Sequence, residues 1–426
     1  MTPSRTSGDR RLRSRPGGAD ERPTTTRWTF MVPSAYAAGG IARTVFTTAN
    51  SLVARGHEVR ILTLNRTSEE PKFDLDPAIE LVAMQDRYDP ERPDRPRRLP
   101  RDPRPAPDVR KLLSQPSDLV AGGQARKTFS AYIDDRLHHH LATAPAGVVV
   151  STRPEFAVAA SRWSAPGSVL LHQEHLSFLP RPEPLRAALR DLALGAGGVR
   201  PIDALLTLTA ADDERWRDYL GDAPVRTGVI PNPTPFVVGD PAPLTSPVVI
   251  AAGRLTSQKG FERLVAAYVP LTRSHPDWQL RIFGDGQHWE RLNEQVARAG
   301  VGDRILLGGV TRELESELAN SSIYAMSSRF EGLPMVLLEA LSKGVPPVSF
   351  DIPEGPRQLI DHGRNGLLVP EGDIAGLTDA LRTLMDDEGL RRRLGAEALE
   401  TARAYEAGAI AERWVDLAEE IEAARG

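Results

Sequence analysis

What most limits the fold of this chain is a strand–helix alternation that runs once, stops at a proline-rich stretch, and runs again. Residues 28–32 are a short apolar run. A loop with Pro33, Gly39 and Gly40 follows, then a helical pattern over 41–55 that Gly56 ends, then a strand pattern over 58–64. Strand, glycine-bearing loop, helix and strand in that order make the opening unit of a doubly wound parallel sheet. Further strands are expected at 79–84, 147–151, 168–172, 204–208 and 225–230. Pro231-Asn232-Pro233-Thr234-Pro235 begins a stretch that reads as a domain boundary. Beyond it, strands are expected at 248–252, 279–283, 304–307, 323–326, 347–350 and 366–369, with helices at 260–273, 288–299 and 334–343 between them. From 374 on the pattern is helical, and the last helix carries Trp414 and Leu417 on one face. The expectation is an α/β chain of two Rossmann-like domains facing a cleft. Its parts are a tail (1–27), an N-terminal domain (28–231) with an insertion at 86–111, a linker (232–247), a C-terminal domain (248–405), and a helix (406–426) crossing back to the N-terminal domain.

Bulk properties narrow the function. The 426 residues are too many for one core and enough for two. A net charge of −4 supplies no broad basic field, so no nucleic-acid partner is expected. The absence of cysteine excludes disulfides, thiolate metal sites and cysteine nucleophiles. No apolar run is long enough to cross a membrane. Residues 1–27 are rich in Arg, Ser, Thr, Gly and Pro without the apolar stretch of a signal peptide, and read as a disordered tail of a cytosolic protein. The 86–111 segment mixes Pro, Arg and Asp with few apolar residues. It is expected as a surface loop or mobile insertion that builds no core, with a lid or acceptor-binding loop as the alternative.

The chemistry concentrates in the second half. In Glu331-Gly332-Leu333-Pro334 and the apolar run ending Leu338-Glu339-Ala340, two glutamates stand eight positions apart, one in a loop and one inside a helix. Pro334 suits the first helical position, so the helix would start just past Glu331 and aim its open N–H groups at the same loop, a ready anion site. Phosphate and two carboxylates in one place suit an anionic ligand with hydroxyls, such as a nucleotide sugar. The plainer reading of Glu339 is a solvated face, pairing with Lys343 four residues on. Gly253-Arg254 and Lys259-Gly260 follow a buried strand, where open α/β sheets bind ligands. Two cations there could stabilise the charge gained by a departing diphosphate; alone they would read as surface cations. Gly39 and Gly40, and likewise Gly284-Asp285-Gly286, would let backbone approach a phosphate, a sugar or a base. His172 and His175 fall at or just past a strand end, where either could polarise a sugar hydroxyl or accept a proton, with His175 favoured. A zinc site there lacks a third ligand. His138-His139-His140 reads as helix surface.

With these pieces assembled, the chain resembles the family 4 glycosyltransferases, retaining enzymes of the two-Rossmann-domain GT-B architecture. The resemblance runs from about Trp28 to the last helix and rests on Gly39-Gly40, Gly253-Arg254, Lys259-Gly260, Gly284-Asp285-Gly286, Glu331 through Glu339, and Asn365-Gly366-Leu367-Leu368-Val369. It implies that Arg254 and Lys259 hold the donor diphosphate. Glu331 would meet the donor sugar and Glu339 the ribose. Gly332 and Leu333 would offer N–H groups to the phosphates, Gly284 and Gly286 would belong to the donor site, and Gly39 and Gly40 would line the cleft from the other side. It also implies no metal or other cofactor, and retention by front-face attack with the leaving phosphate taking the acceptor proton, or by a short-lived ion pair.

Residues 350–357 resemble members that build cell-surface polysaccharides and lipid-linked glycans. The expected activity is therefore transfer of a hexose from a nucleotide diphosphate sugar, UDP favoured, to a hydroxyl acceptor on a glycan, a lipid-linked glycan or a small molecule. The expected place is the cytoplasm, with peripheral contact at the inner face of the membrane. The alternatives are a nucleotide-sugar epimerase of the same fold and a non-catalytic sugar-nucleotide-binding partner of another transferase.

Overall fold

The computed structural model describes residues 25–37, 39–120 and 128–425, and most of the expected tail lies outside them. The chain forms two compact units, Met1–Ile230 with Ala411–Gly426, and Pro231–Ile410. The first is built on a sheet of β1 (Arg27–Val32), β2 (Glu58–Arg66), β3 (Glu80–Asp86), β4 (Val148–Ser151), β5 (Val169–Gln173), β6 (Ala204–Thr207) and β7 (Arg226–Val229), in the order β3-β2-β1-β4-β5-β6-β7. The second is built on β8 (Val248–Ala252), β9 (Gln279–Phe283), β10 (Ile305–Gly309), β11 (Ile323–Met326), β12 (Pro347–Asp351) and β13 (Leu367–Pro370), in the order β10-β9-β8-β11-β12-β13. The strand pairs are parallel in both sheets. Central strands such as β4 and β8 are buried along their whole length, which is why they read as unbroken apolar runs: helices cover both faces.

The thirteen expected strands form to within two residues at each end. In each sheet the strand order reverses once, between β1 and β4 and between β8 and β11. In open α/β sheets the crevice outside the strand C-termini at that reversal is where ligands bind. The loop with Gly39 and Gly40 follows β1, the loop with Arg254 and Lys259 follows β8, and the loop with Glu331 follows β11.

Several expectations are corrected. The stretch 232–247 is no free linker: Asn232, Thr234, Ala242 and Leu244 are buried, and Thr234 N–H donates to the Tyr405 carbonyl at 2.8 Å. Proline fixes packed turns as readily as exposed ones. The 86–111 insertion does contribute to a core, since it runs into the helix Ala106–Ser114, whose Val109 is buried. The pattern over 260–273 is two helices, Phe261–Tyr268 and Leu271–Ser274, because Pro270 has no N–H to continue the ladder. Arg27, placed in the tail, is the first residue of β1.

The helix Ala407–Ala423 carries Trp414, buried edge-on against Trp28 at 6.5 Å and Phe30 at 6.3 Å between ring centroids. Residues 411–421 thus close the core of the first unit. No helix among the described residues is long and apolar enough to cross a membrane.

Candidate active site

In the second unit, β8 and β11 are neighbours, with Tyr324 opposite Ile250. The loops that leave them are tied together. Arg329 N–H donates to the Gln258 carbonyl at 2.8 Å, the Gln258 amide donates to the Phe330 carbonyl at 3.1 Å, and the Ser327 hydroxyl donates to the Lys259 carbonyl at 3.1 Å. This brings together side chains 72 positions apart: the Lys259 ammonium lies 2.6 Å from Glu331 Oε1. The same oxygen accepts the Ser328 hydroxyl at 2.6 Å. Arg254, in the loop after β8, is exposed and has no ion-pair partner among the described residues.

Glu339 is fully buried on the helix Met335–Ser342. Lys343, its alternative partner, turns instead to Glu315 at 2.5 Å, so the solvated-pair reading is overturned. Tyr324 registers both glutamates: burial pushes its hydroxyl well above the ordinary tyrosine range, and the charges of Glu331 and Glu339 push in the same direction. Pro334 is the N-cap of that helix rather than its first residue, with an extended ψ of 104°. The first N–H groups of the helix lack intrahelical partners, as helical geometry requires.

The glycines divide into two kinds. A methyl group on Gly284 would run into the Gly253 carbonyl oxygen, one on Gly286 would lie 2.5 Å from the Leu255 carbonyl oxygen, and one on Gly355 would strike the Gly332 carbonyl oxygen. The φ angles of these glycines are 136°, 157° and 76°. The chain's own backbone demands glycine there, because the loop after β9 crosses the loop after β8 and the loop after β12 meets the loop after β11. Gly39 and Gly40 have nothing within 4 Å of an added Cβ. They open the helix Gly40–Val53, which has no side-chain cap and no acidic residue in its first turn.

His172 and His175 separate. His172 is fully buried on β5, its Nδ1 2.9 Å from Ser151 Oγ. His175 is half-buried in the loop beyond, and burial pulls its imidazole down to about 4. At neutral pH it is an uncharged hydrogen-bonding group and a poor proton acceptor. Between them Glu174 is held below the usual carboxylate range: burial opposes this, but His172, 3.9 Å away, and the charge of Arg181 prevail. Arg181 pairs with Glu174, whose Oε1 also accepts the Leu176 N–H at 3.1 Å, fixing the turn that carries His175. In the His138–His140 run, His140 is not free surface, since its Nδ1 lies 2.7 Å from an Arg60 nitrogen.

Ser328, Tyr324 and Gly355 were not singled out from sequence. Gly355 alone had a signal, standing in the 350–357 segment noted for its resemblance. Among the described residues no group of three or more His, Asp or Glu is arranged to hold a metal ion.

A family model described as glycosyl transferases group 1 matches residues 239–401, and one described as a glycosyl transferase 4-like domain matches residues 39–233. The chain belongs to the family 4 glycosyltransferases. An exopolysaccharide phosphotransferase of Streptomyces coelicolor is 33% identical over 396 residues, 92% of this chain and 40% of that protein. A poly(glycerol-phosphate) alpha-glucosyltransferase of Bacillus subtilis is 29% identical over 180 residues, 42% of this chain and 26% of that protein. This glycosyltransferase chain thus spans less than half the length of either relative. The pneumococcal O-GlcNAc transferase GtfA, solved with UDP and GlcNAc, superposes with a TM-score of 0.69 at 15% identity, covering 93% of this chain and 99% of that one. At that identity the likeness shows the fold, which is the GT-B fold of glycosyltransferases.

Proposed function

We propose that the chain is a retaining hexosyltransferase that takes its sugar from a nucleotide diphosphate donor, a UDP-sugar by preference, and passes it to a hydroxyl on a cell-surface glycan or glycolipid precursor. The observation that carries this reading is the Lys259–Glu331–Ser328 cluster at the strand-order reversal of the second sheet.

Arg254 and Lys259 would neutralise the diphosphate as the sugar bond breaks, an interaction stronger in the transition state than in the ground state. Glu331, held by Lys259 and Ser328, would meet the sugar. Glu339 would receive the ribose, and Gly332 and Leu333 would turn N–H groups to the phosphates. No metal or other cofactor is needed when two cations do this work. In the first unit, Gly39, Gly40 and neutral His175 would meet a substrate, His175 by hydrogen bonding rather than by taking a proton. The relatives' names, exopolysaccharide and poly(glycerol phosphate), support an acceptor at the cell surface. We place the reaction in the cytoplasm, with peripheral contact at the inner face of the membrane.

The test is a thermal-shift series with UDP-, GDP- and ADP-sugars, since a true donor raises Tm by mass action. A UDP-sugar should shift it most. If no nucleotide sugar does, the donor reading fails. The anomer released on donor hydrolysis, read by NMR, tests retention, and an inverted product ends that part of the reading.

A further inference from the structure

The segment after β3 carries arginine at every third position: Arg92, Arg95, Arg98, Arg101 and Arg104. It begins as two consecutive turns. Arg92 N–H donates to the Asp89 carbonyl at 3.1 Å, and Arg95 N–H donates to the Arg92 carbonyl at 3.0 Å. Pro90 and Pro93 hold the second position of each turn, where the fixed φ of proline fits. The chain then folds back on the end of β3, with Arg97 N–H bonded to the Arg87 carbonyl and Arg101 N–H to the Asp86 carbonyl, both at 2.8 Å.

The fifth arginine is the anchor. Arg104 pairs with Asp102 at 2.8 Å and Asp135 at 2.7 Å and lies over the Tyr132 ring, whose hydroxyl donates to Asp102 at 2.7 Å. Hydrogen bonds from Arg104 hold the Asp102 carboxyl well below its usual range. The other four are exposed and have no ion-pair partner among the described residues, whereas Arg97, out of phase with them, is taken by Asp89 at 3.3 Å. Asp86 is engaged by Arg66 at 3.8 Å. Only Glu91 and Asp94 remain exposed between 86 and 104 to oppose the four open guanidiniums.

The place is equally specific. All strands of the first sheet are parallel, so the segment leaves the same edge as the loops bearing Gly39, Gly40 and His175. Tyr36, just ahead of the glycine loop, is raised by burial and feels both Arg66 and Asp86 at the root of the segment.

We propose that this arginine series is a subsite for an acceptor chain bearing phosphodiesters at intervals, so that the sugar goes to a polyanionic polymer rather than to a neutral glycan. This rests on the glycosyl-transfer reading above. A guanidinium is always charged and meets two phosphate oxygens at once. Four of them on a braced loop engage successive phosphates, which a single phosphate could not satisfy.

The experiment follows binding of fluorescently labelled poly(glycerol phosphate) to the full chain by anisotropy, with phosphatidylglycerol vesicles in a parallel arm. The R92Q/R95Q/R98Q/R101Q variant should raise the polymer Kd by roughly tenfold or more and flatten its salt dependence, since fewer counterions are released. The matching four-lysine variant should recover most of the loss, which separates charge from folding. UDP should shift Tm equally in all three proteins. Failure of the wild-type chain to bind the polymer, or an unchanged Kd in the glutamine variant, overturns the proposal. So does a loss confined to the vesicle arm, which would make the series a membrane contact. If UDP fails to shift the wild-type Tm while the polymer result holds, it is the donor reading that falls.

Discussion

At the C-terminal edge of the second sheet, Gly284, Gly286 and Gly355 sit where a methyl group would strike another part of the backbone; at the same edge of the first sheet, Gly39 and Gly40 face open space. The second edge is closed upon itself, its loops bonded to one another and its Lys259 and Glu331 already paired. The first edge is left open, with an uncapped helix terminus and unpaired arginines. A glycine that its own fold requires says nothing of a ligand. A glycine that its own fold does not require is one whose role substitution can test.

That contrast can be broken by substitution. Gly284→Ala should have the largest effect, costing about 3 kcal/mol or more from overpacking and an unfavourable φ, read as a fall in Tm with or without UDP. An unchanged Tm would remove the structural account of that glycine. Next is Lys259→Gln, which should lower donor turnover by roughly a hundredfold or more, the scale of losing a preorganised charge. Turnover within a few-fold of wild type would take Lys259 out of the reaction. Gly40→Ala should leave the fold intact or stabilise it by up to about 1 kcal/mol, as alanine does in a helix, yet weaken donor turnover. If activity survives with the gain in Tm, the open space at the first edge has no ligand to explain it.

The smallest effect concerns pH. The His175 imidazole is lowered from 6.5 to about 4, so it favours folding in full above 6.5, and that contribution is lost as pH falls toward 4. Denaturation curves of His175→Gln should fall less over that interval than those of wild type. His140, also drawn down to about 4 by burial, remains in both proteins and cancels in the difference. Parallel curves would place His175 in solvent.

The fold was legible because the central strands of these parallel sheets, such as β4 and β8, are apolar runs bounded by turn residues, a pattern that depends only on neighbours in sequence. The convergence of Lys259 with Glu331 was legible for a related reason, since both follow adjacent strands at the order reversal. What could not be read was direction. His172 and His175 differ by three positions, and only the pleat of β5 turns one inward to Ser151. The 232–247 stretch misled because proline content reports turns but not whether Thr234 will be buried against Tyr405. The fate of Lys343 depended on Glu315, 28 residues upstream, which no local pairing rule reaches.

One consequence follows from the way residues 411–421 close the core around Trp28 and Phe30. On the ribosome, the half of the molecule made first cannot finish folding until nearly all of the other half has emerged, so its apolar ring cluster waits uncovered through the whole of that interval. A stalled or clipped chain lacking those residues would therefore expose its defect in its oldest part, and a quality-control factor would find the signal far upstream of the break.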